Sequence, residues 1–373
     1  MIRIGPRLKP FAWGQTDAIP RLLRLDGVTG PVAEAWFGAH ESDPSGLDGG
    51  GDLAAHIAAD PQGTVGGERL PYLLKVLAIA SPLSIQVHPT MDQARAGFAL
   101  EHESKLDLAA PERTFRDPRH KPELIVALTP MRLLVGMRGA RELVEDLREL
   151  GAHDLVPLVE GHDSLLTYVM TVLGGGVEPH TLERLAHAPD GDTSLSLAGR
   201  ASRAFPGDPG ALVALAMNAV ALQPGEGCYV PPRVIHSYQS GIGVEIMANS
   251  DNVVRGGLTP KAIDVERLES ILDANPAAAE RPTVRTDGAS TLYTVPVSDF
   301  SLLRVEAGSA LTAAAPRVVL ALDDTEVVVA GVQQQLSAGE AAFLPLSDGP
   351  VTVSTKGVAF VALPGGLAVG ADR

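Results

Sequence analysis

Over the first part of the chain, to about residue 127, apolar positions come in short runs broken by Pro, Gly and Asp. That punctuation predicts strands, the clearest at 72–78, 83–88 and 123–128. After Pro89, Thr90-Met91-Asp92-Gln93 has the form of a capping box and predicts a helix to about residue 103. Between about 131 and 222 the period changes. GARELVEDLREL, DSLLTYVMTVL, EPHTLERLAHA and ALVALAMNAVAL each place apolar residues three and four apart, predicting a block of helices. Strand texture returns at 227–230 and 243–247, and Thr259-Pro260 reads as the N-cap and first residue of another helix. NPAAAERP, 275–282, reads as a linker. Beyond it, FSLLRVEAG, PRVVLALDD and TEVVVAG alternate as strands.

The two strand-rich regions share a weak repeat. LQPGEGCYVPP around Gly225 matches LSAGEAAFLPL around Gly339, a Gly-Glu turn followed by a short strand and a proline. Such a unit suits half of a jelly-roll barrel. The expected fold is mainly β with an α insertion: two jelly-roll β-barrels plus an inserted helical domain. The expected units are 1–130 with 221–274, a helical insert at 131–220, and a C-terminal β domain at 283–373. The second copy of the repeat has no histidine where the first has His236, so a metal is expected in the first barrel alone.

Composition adds limits. With 373 residues, 45% of them hydrophobic, the chain can bury more than one core. Gly at 39, Pro at 29 and aromatics at 4% favour many turns over long helices. A net charge of −15 disfavours nucleic acid or an anionic membrane as partner. The single cysteine, Cys228, excludes an intrachain disulfide framework and fits a reducing compartment. The N-terminus lacks an apolar signal region, and no run of about 18 apolar residues occurs. A cytoplasmic protein with no membrane partner is expected.

The candidate chemistry starts in SIQVHP. Side chains two apart on a strand share a face, so Gln86 and His88 point the same way. Taken alone they read better as core polar groups bonded to nearby backbone. In DPRHKPELIVAL, Lys121 and Glu123 alternate likewise, and Glu123 opens an apolar run, where a buried carboxylate needs a cation or several donors. Lys121 could serve. His236 in VPPRVIHSYQSG is a third contributor. Gln86, His88, Glu123 and His236 form an N/O donor set suited to Zn²⁺ or another divalent first-row ion.

AEAWFGAHESDPS, LPYLLKVLAIASPLSIQVHPT, DPRHKPELIVALTPMRLLVGMR and PGEGCYVPPRVIHSYQSGIGVEIMANSDNVVRGGLTPKAIDVERL, in that order, closely resemble the type I phosphomannose isomerases, zinc-dependent enzymes of the cupin superfamily. The resemblance covers most of residues 1–270. It implies one Zn²⁺ per chain at Gln86, His88, Glu123 and His236, with Arg255 as an active-site residue. It also implies interconversion of mannose 6-phosphate and fructose 6-phosphate, a small-molecule sugar phosphate being the partner. Two departures stand out: Gly136-Met137-Arg138 lacks an aromatic common in relatives, and the stretch after SIQVHP lacks a lysine often found there.

For aldose–ketose chemistry through a cis-enediol, Arg255 would stabilise negative charge on oxygen beside the metal. Glu245, Lys121 and Asp251 are candidate proton carriers, Glu245 because burial would raise its pKa. Lys75, Ser84, Lys121 and Lys261 are candidate phosphate contacts, Asp251 a further substrate contact, and Trp13 and Tyr238 candidate pocket walls. Lys75, in an apolar strand, needs an anion or a carboxylate partner. His40-Glu41 and His102-Glu103 are expected to be surface pairs. Two other readings stay open: an iron-dependent cupin oxygenase, and a non-catalytic sugar-phosphate-binding cupin. The expected state is a monomer, on no specific motif.

Overall fold

The computed structural model describes residues 1–108, 110, 112–366 and 369–370, so the last three positions of the expected C-terminal unit lie outside it. Two sheets, of ten and eleven strands, dominate. In the first, strands run in the order Gly227–Val230, Glu123–Ala127, His236–Ala248, Tyr72–Ile79, Glu34–Phe37, Arg7–Lys9. His236–Ala248 is long enough to serve both sides of a barrel. Its start pairs with Gln86–Val87 and Met131–Met137, and its end with Tyr72–Ile79 and Glu123–Ala127. The second sheet holds Thr283–Asp287 and the described strands C-terminal to it, joined by Ile2–Gly5, which pairs with Ala341–Leu344, and by Gly46–Leu47. The architecture is mainly β with an α-helical insertion, consistent with a cupin fold.

The repeated turn is built the same way twice. Gly225 and Gly339 adopt φ of 86° and 92°, where a side chain is disfavoured. The following glutamates close each turn: Glu226 accepts the Gln223 N–H at 2.8 Å and Glu340 the Ser337 N–H at 2.7 Å. Each turn leads into a short strand, Gly227–Val230 or Ala341–Leu344.

Several elements differ from expectation for identifiable reasons. The capped helix is present as Met91–Glu103 with its full capping box, but the 83–88 strand contracts to Gln86–Val87. The Leu83 and Ile85 N–H groups bond individually to the Tyr238 and Gly257 carbonyls instead of entering a ladder. In ALVALAMNAVAL only Gly210–Leu215 is helical; Met217–Leu222 is a strand against Met131–Met137, because an open sheet edge overrides local propensity. A helix at Ser194–Ala204, rich in small residues and capped by Thr193, had no clear periodic signal. The helix placed after Thr259 begins at Val265 behind the Asp264 cap, while Thr259 Oγ1 accepts the Lys261 N–H in a local turn. Residues 275–282 are fastened to the first sheet through Ala277 N to Met137 O and Tyr229 N to Glu280 O.

The inner face of the first barrel packs Leu77, Ile125, Leu133 and Val230, and that of the second packs Leu303, Val319, Val353 and Val361. A third core joins the sheets: Leu74, Val76, Leu124, Val244 and Ile246 meet Phe300, Val318, Phe343 and Phe360.

Candidate active site

Strand alternation turns polar groups into the first barrel while their apolar neighbours build the core behind. Lys75 lies between Leu74 and Val76, and Glu245 between Val244 and Ile246, all four apolar residues belonging to the shared core. Directly opposed residues of neighbouring strands share a face. Trp36 opposes Lys75, Lys75 opposes Glu245, and Glu245 opposes Ile125, two residues from Glu123. Gln86 opposes both His236 and Arg255, which puts the amide between imidazole and guanidinium on one face. Sequence alternation could pair Gln86 with His88 but could not supply this register.

His88 Nδ1 lies 2.7 Å from the Asn252 carbonyl and His236 Nδ1 lies 3.1 Å from that of Val234. A carbonyl only accepts, so both Nδ1 atoms carry a proton, and in the neutral form of either ring it is Nε2 that presents the lone pair. Those lone pairs face the two oxygens of Glu123, His88 at 3.2 Å and His236 at 3.3 Å. The three ligand atoms lie within 4.8 Å of one another. Lone pairs facing a carboxylate repel unless a cation stands among them. Here the Lys121 ammonium does: it bonds Glu123 Oε1 and lies 3.5 Å from His88 Nε2. It stands in for a positive ion, and the donor set fits a divalent metal. Burial pushes His88 down to about 4, with Lys121 adding to the effect, so the ring is neutral and its Nε2 carries a lone pair. Burial would raise Glu123, but Lys121 together with His88 and His236 outweighs it and holds the carboxyl well below its usual range.

Around this centre the remaining candidates fall on connected cavities. A small space of about 70 Å³ is lined by Ser84, Gln86, Lys121, Glu123, His236, Tyr238 and Glu245. A larger cleft of about 600 Å³ shares Lys75, Ser84, Gln86 and Lys121 and adds Trp13, Asp251, Arg255 and Lys261. Every sequence-derived site residue lies on one of these two spaces or, for His88, in direct contact with Glu123. Lys75 finds carboxylates as anticipated, Glu245 at 3.2 Å and Glu34 at 3.7 Å. Burial works against the Lys75 charge, but Glu245 and Glu34 outweigh it and raise its pKa. Burial also raises Glu245. Tyr238 offers its hydroxyl to Glu123 Oε2 at 3.4 Å. Arg255 and Lys261 are different: among the described residues neither has a carboxylate partner. Burial followed by Arg116 lowers the Arg255 pKa, and Arg255 is the largest cause lowering Lys261. Unpaired cations on a cleft wall suit an anionic ligand.

Comparison with known proteins agrees with this geometry. Residues 1–140 match the family model for the catalytic domain of type I phosphomannose isomerase. A mannose-6-phosphate isomerase of Shigella flexneri is 33% identical over 372 residues, covering 93% of this chain and 95% of the relative. The chain belongs to the type I phosphomannose isomerase family. Within that family the human mannose-6-phosphate isomerase is 29% identical over 404 residues, covering 95% and 91% of the two chains. The crystal structure of the Salmonella typhimurium enzyme bound to substrate (F6P) and zinc has a TM-score of 0.90 at 29% identity, covering 98% of this chain and 99% of that one.

Three residues of the site escaped sequence reasoning. Glu34, two residues before Trp36, accepts the Trp36 indole N–H at 2.5 Å and faces Lys75; the unpaired Lys75 was the available signal for it. Asn252 is fully buried, its Oδ1 accepting the Arg116 and Asp117 N–H groups and its Nδ2 donating to the Asp117 and Arg119 carbonyls. It fastens the loop carrying Lys121. His40 is not a surface residue: it is 3% exposed and lines the large cleft, while its neighbour Glu41 is exposed.

Proposed function

We propose that this chain interconverts D-mannose 6-phosphate and D-fructose 6-phosphate with one zinc ion held by Gln86, His88, Glu123 and His236. The observation that carries the reading is the convergence of the His88 and His236 Nε2 atoms and Glu123 beside a cleft bearing unpaired Arg255 and Lys261. Zinc bound there supplies a Lewis acid for the oxygens on C1 and C2. Arg255 places fixed positive charge against the enediolate as it forms. Glu245, raised by burial, takes the proton from carbon and returns it to the neighbouring carbon, and Lys75 holds its carboxylate in place. Lys121 donates to the sugar oxygens from the boundary of the two cavities. Ser84 and Lys261 receive the phosphate, Asp251 accepts from a sugar hydroxyl, and Trp13 and Tyr238 wall the pocket.

We also propose three units, a catalytic barrel, a helical insert and a metal-free C-terminal barrel. The insert is better bounded at 140–215 than at 131–220, because Met131–Met137 and Met217–Leu222 pair within the first sheet. A cytoplasmic monomer fits the single buried cysteine and a site drawn from one chain. Among the described residues no helix is long and apolar enough to cross a membrane.

The test is a coupled isomerase assay on chelated and zinc-reconstituted protein. Turnover should vanish on chelation and return with zinc. Zinc-loaded protein that binds mannose 6-phosphate without converting it would defeat the enzymatic reading.

A further inference from the structure

His40 follows the Glu34–Phe37 strand and is buried, yet it borders the cleft. The Ser42 backbone N–H donates to its Nδ1 at 3.3 Å, and Ser42 Oγ lies 2.8 Å from the same atom. A backbone N–H can only donate, so Nδ1 holds a lone pair and the proton of the neutral ring sits on Nε2. Nε2 stands 3.5 Å from Asp251 Oδ1. Trp36 packs edge-on against the ring with centroids 5.0 Å apart, limiting its rotation. Burial lowers the His40 pKa; Asp251 opposes that shift, while Lys75 and Lys121 reinforce it, which favours the neutral ring.

Asp251 is the counterpart. Its backbone N–H donates to Asp117 Oδ2 at 2.8 Å, fixing the main chain. Its side chain is 40% exposed and lines both the 600 Å³ cleft and an adjoining space of about 720 Å³. Among the described residues no lysine or arginine pairs with this carboxylate, so His40 is its one ionisable partner.

We propose that His40 is a positioning residue whose Nε2–H holds one oxygen of Asp251, leaving the other turned to the cleft to accept a hydrogen bond from a sugar hydroxyl. The 3.5 Å separation is long, as such contacts often are before ligand binds and tightens them. The inference rests on the isomerase reading and deepens it. It adds a histidine that acts through Asp251.

The experiment compares zinc-loaded wild type with His40→Ala, His40→Gln, His40→Asn, Asp251→Ala and the double variant His40→Ala/Asp251→Ala. Steady-state kinetics with mannose 6-phosphate are read alongside calorimetric binding of fructose 6-phosphate, zinc content and thermal melting. Loss of a hydrogen bond to a charged group should lower kcat/KM of His40→Ala roughly ten- to a hundredfold at unchanged zinc content. The double variant should be no worse than Asp251→Ala. If His40→Ala does not fold, the amide pair decides: Gln places a donor near the Nε2 position and Asn does not, so Gln should exceed Asn about tenfold. Equal Gln and Asn variants, wild-type behaviour in His40→Ala, or additive losses in the double variant would each overturn the proposal. A wild type inactive on mannose 6-phosphate sinks the isomerase reading instead, and the binding data then judge His40 separately.

Discussion

Lys75 shows how a single side chain organises this site. Its ammonium is buried between the Glu245 and Glu34 carboxylates, at 3.2 and 3.7 Å. Lys75→Met keeps the packing and strips the charge, leaving two carboxylates in a closed environment. Breaking such a cluster costs about 3–5 kcal/mol, measurable by urea denaturation. The sign with pH follows from linkage. Without Lys75 nothing as strong opposes the upward push of burial on Glu245, whose pKa then lies further above its unfolded value, so the loss is full at neutral pH and shrinks as acid protonates it. A loss that grows with acid would refute the pairing. Glu245 carries a second expectation. Burial raises its pKa, so a base at this position gains activity as pH rises through a value above the ordinary carboxyl range. In wild type the acid limb of kcat should therefore lie high while zinc content stays constant, and Glu245→Gln should lose at least about a hundredfold in kcat with substrate still bound.

At the level of elements, loops rather than strands set the precision of the site. Gly257, two residues past Arg255, has φ of 127°, and a Cβ there would stand 2.4 Å from the Gly210 Cα at the start of the Gly210–Leu215 helix. The contact is backbone on backbone and cannot relax by rotating a side chain. Gly257→Ala should therefore push the Arg255 segment outward, lowering kcat/KM and the melting temperature together. Asn252→Ala removes four hydrogen bonds that fasten the Lys121 loop. With each buried bond worth about 1 kcal/mol, a loss of roughly 2–4 kcal/mol should appear in denaturation. Zinc affinity should also weaken about tenfold, because loosening this loop shifts the Asn252 backbone carbonyl that orients His88. Much of this was readable beforehand. The alternation of Gln86 with His88 and of Lys121 with Glu123, and the capping box at Thr90, are local patterns and survive into the structure. What joins them is not local: Gln86 between His236 and Arg255 is a matter of register, and Asn252 gains its role from a loop more than 130 residues earlier. His40 was misjudged because its neighbour is exposed, and on an irregular segment the burial of one residue says little about the next.

Across the whole molecule, the C-terminal barrel backs the catalytic sheet. The strands that send Lys75, Glu123 and Glu245 inward send Leu74, Val76, Leu124, Val244 and Ile246 outward, into a core completed by Phe300, Val318, Phe343 and Phe360. Tyr72, at the start of its strand, donates its hydroxyl across this boundary to the Pro316 and Ala362 carbonyls at 2.9 and 3.0 Å, and Gly339 packs against the Leu23 backbone too closely to admit a Cβ. Ile2–Gly5 is itself a strand of the second sheet, so the chain begins in one barrel's sheet and proceeds into the other. The second sheet thus supports the one carrying His88, Glu123 and His236 by packing. Truncation after residue 282 should expose those five aliphatic side chains and leave Ile2–Gly5 without its Ala341–Leu344 partner. The expected product is insoluble or molten, with no stable zinc and no isomerase activity, seen by light scattering, near-ultraviolet circular dichroism and metal analysis. Phe360→Ala is the milder form of the same experiment, costing about 3–5 kcal/mol with the fold retained and zinc loss advanced to lower temperature. A truncated chain that stayed soluble, ordered and active would make the second barrel an appendage and place all of the site's support within the first.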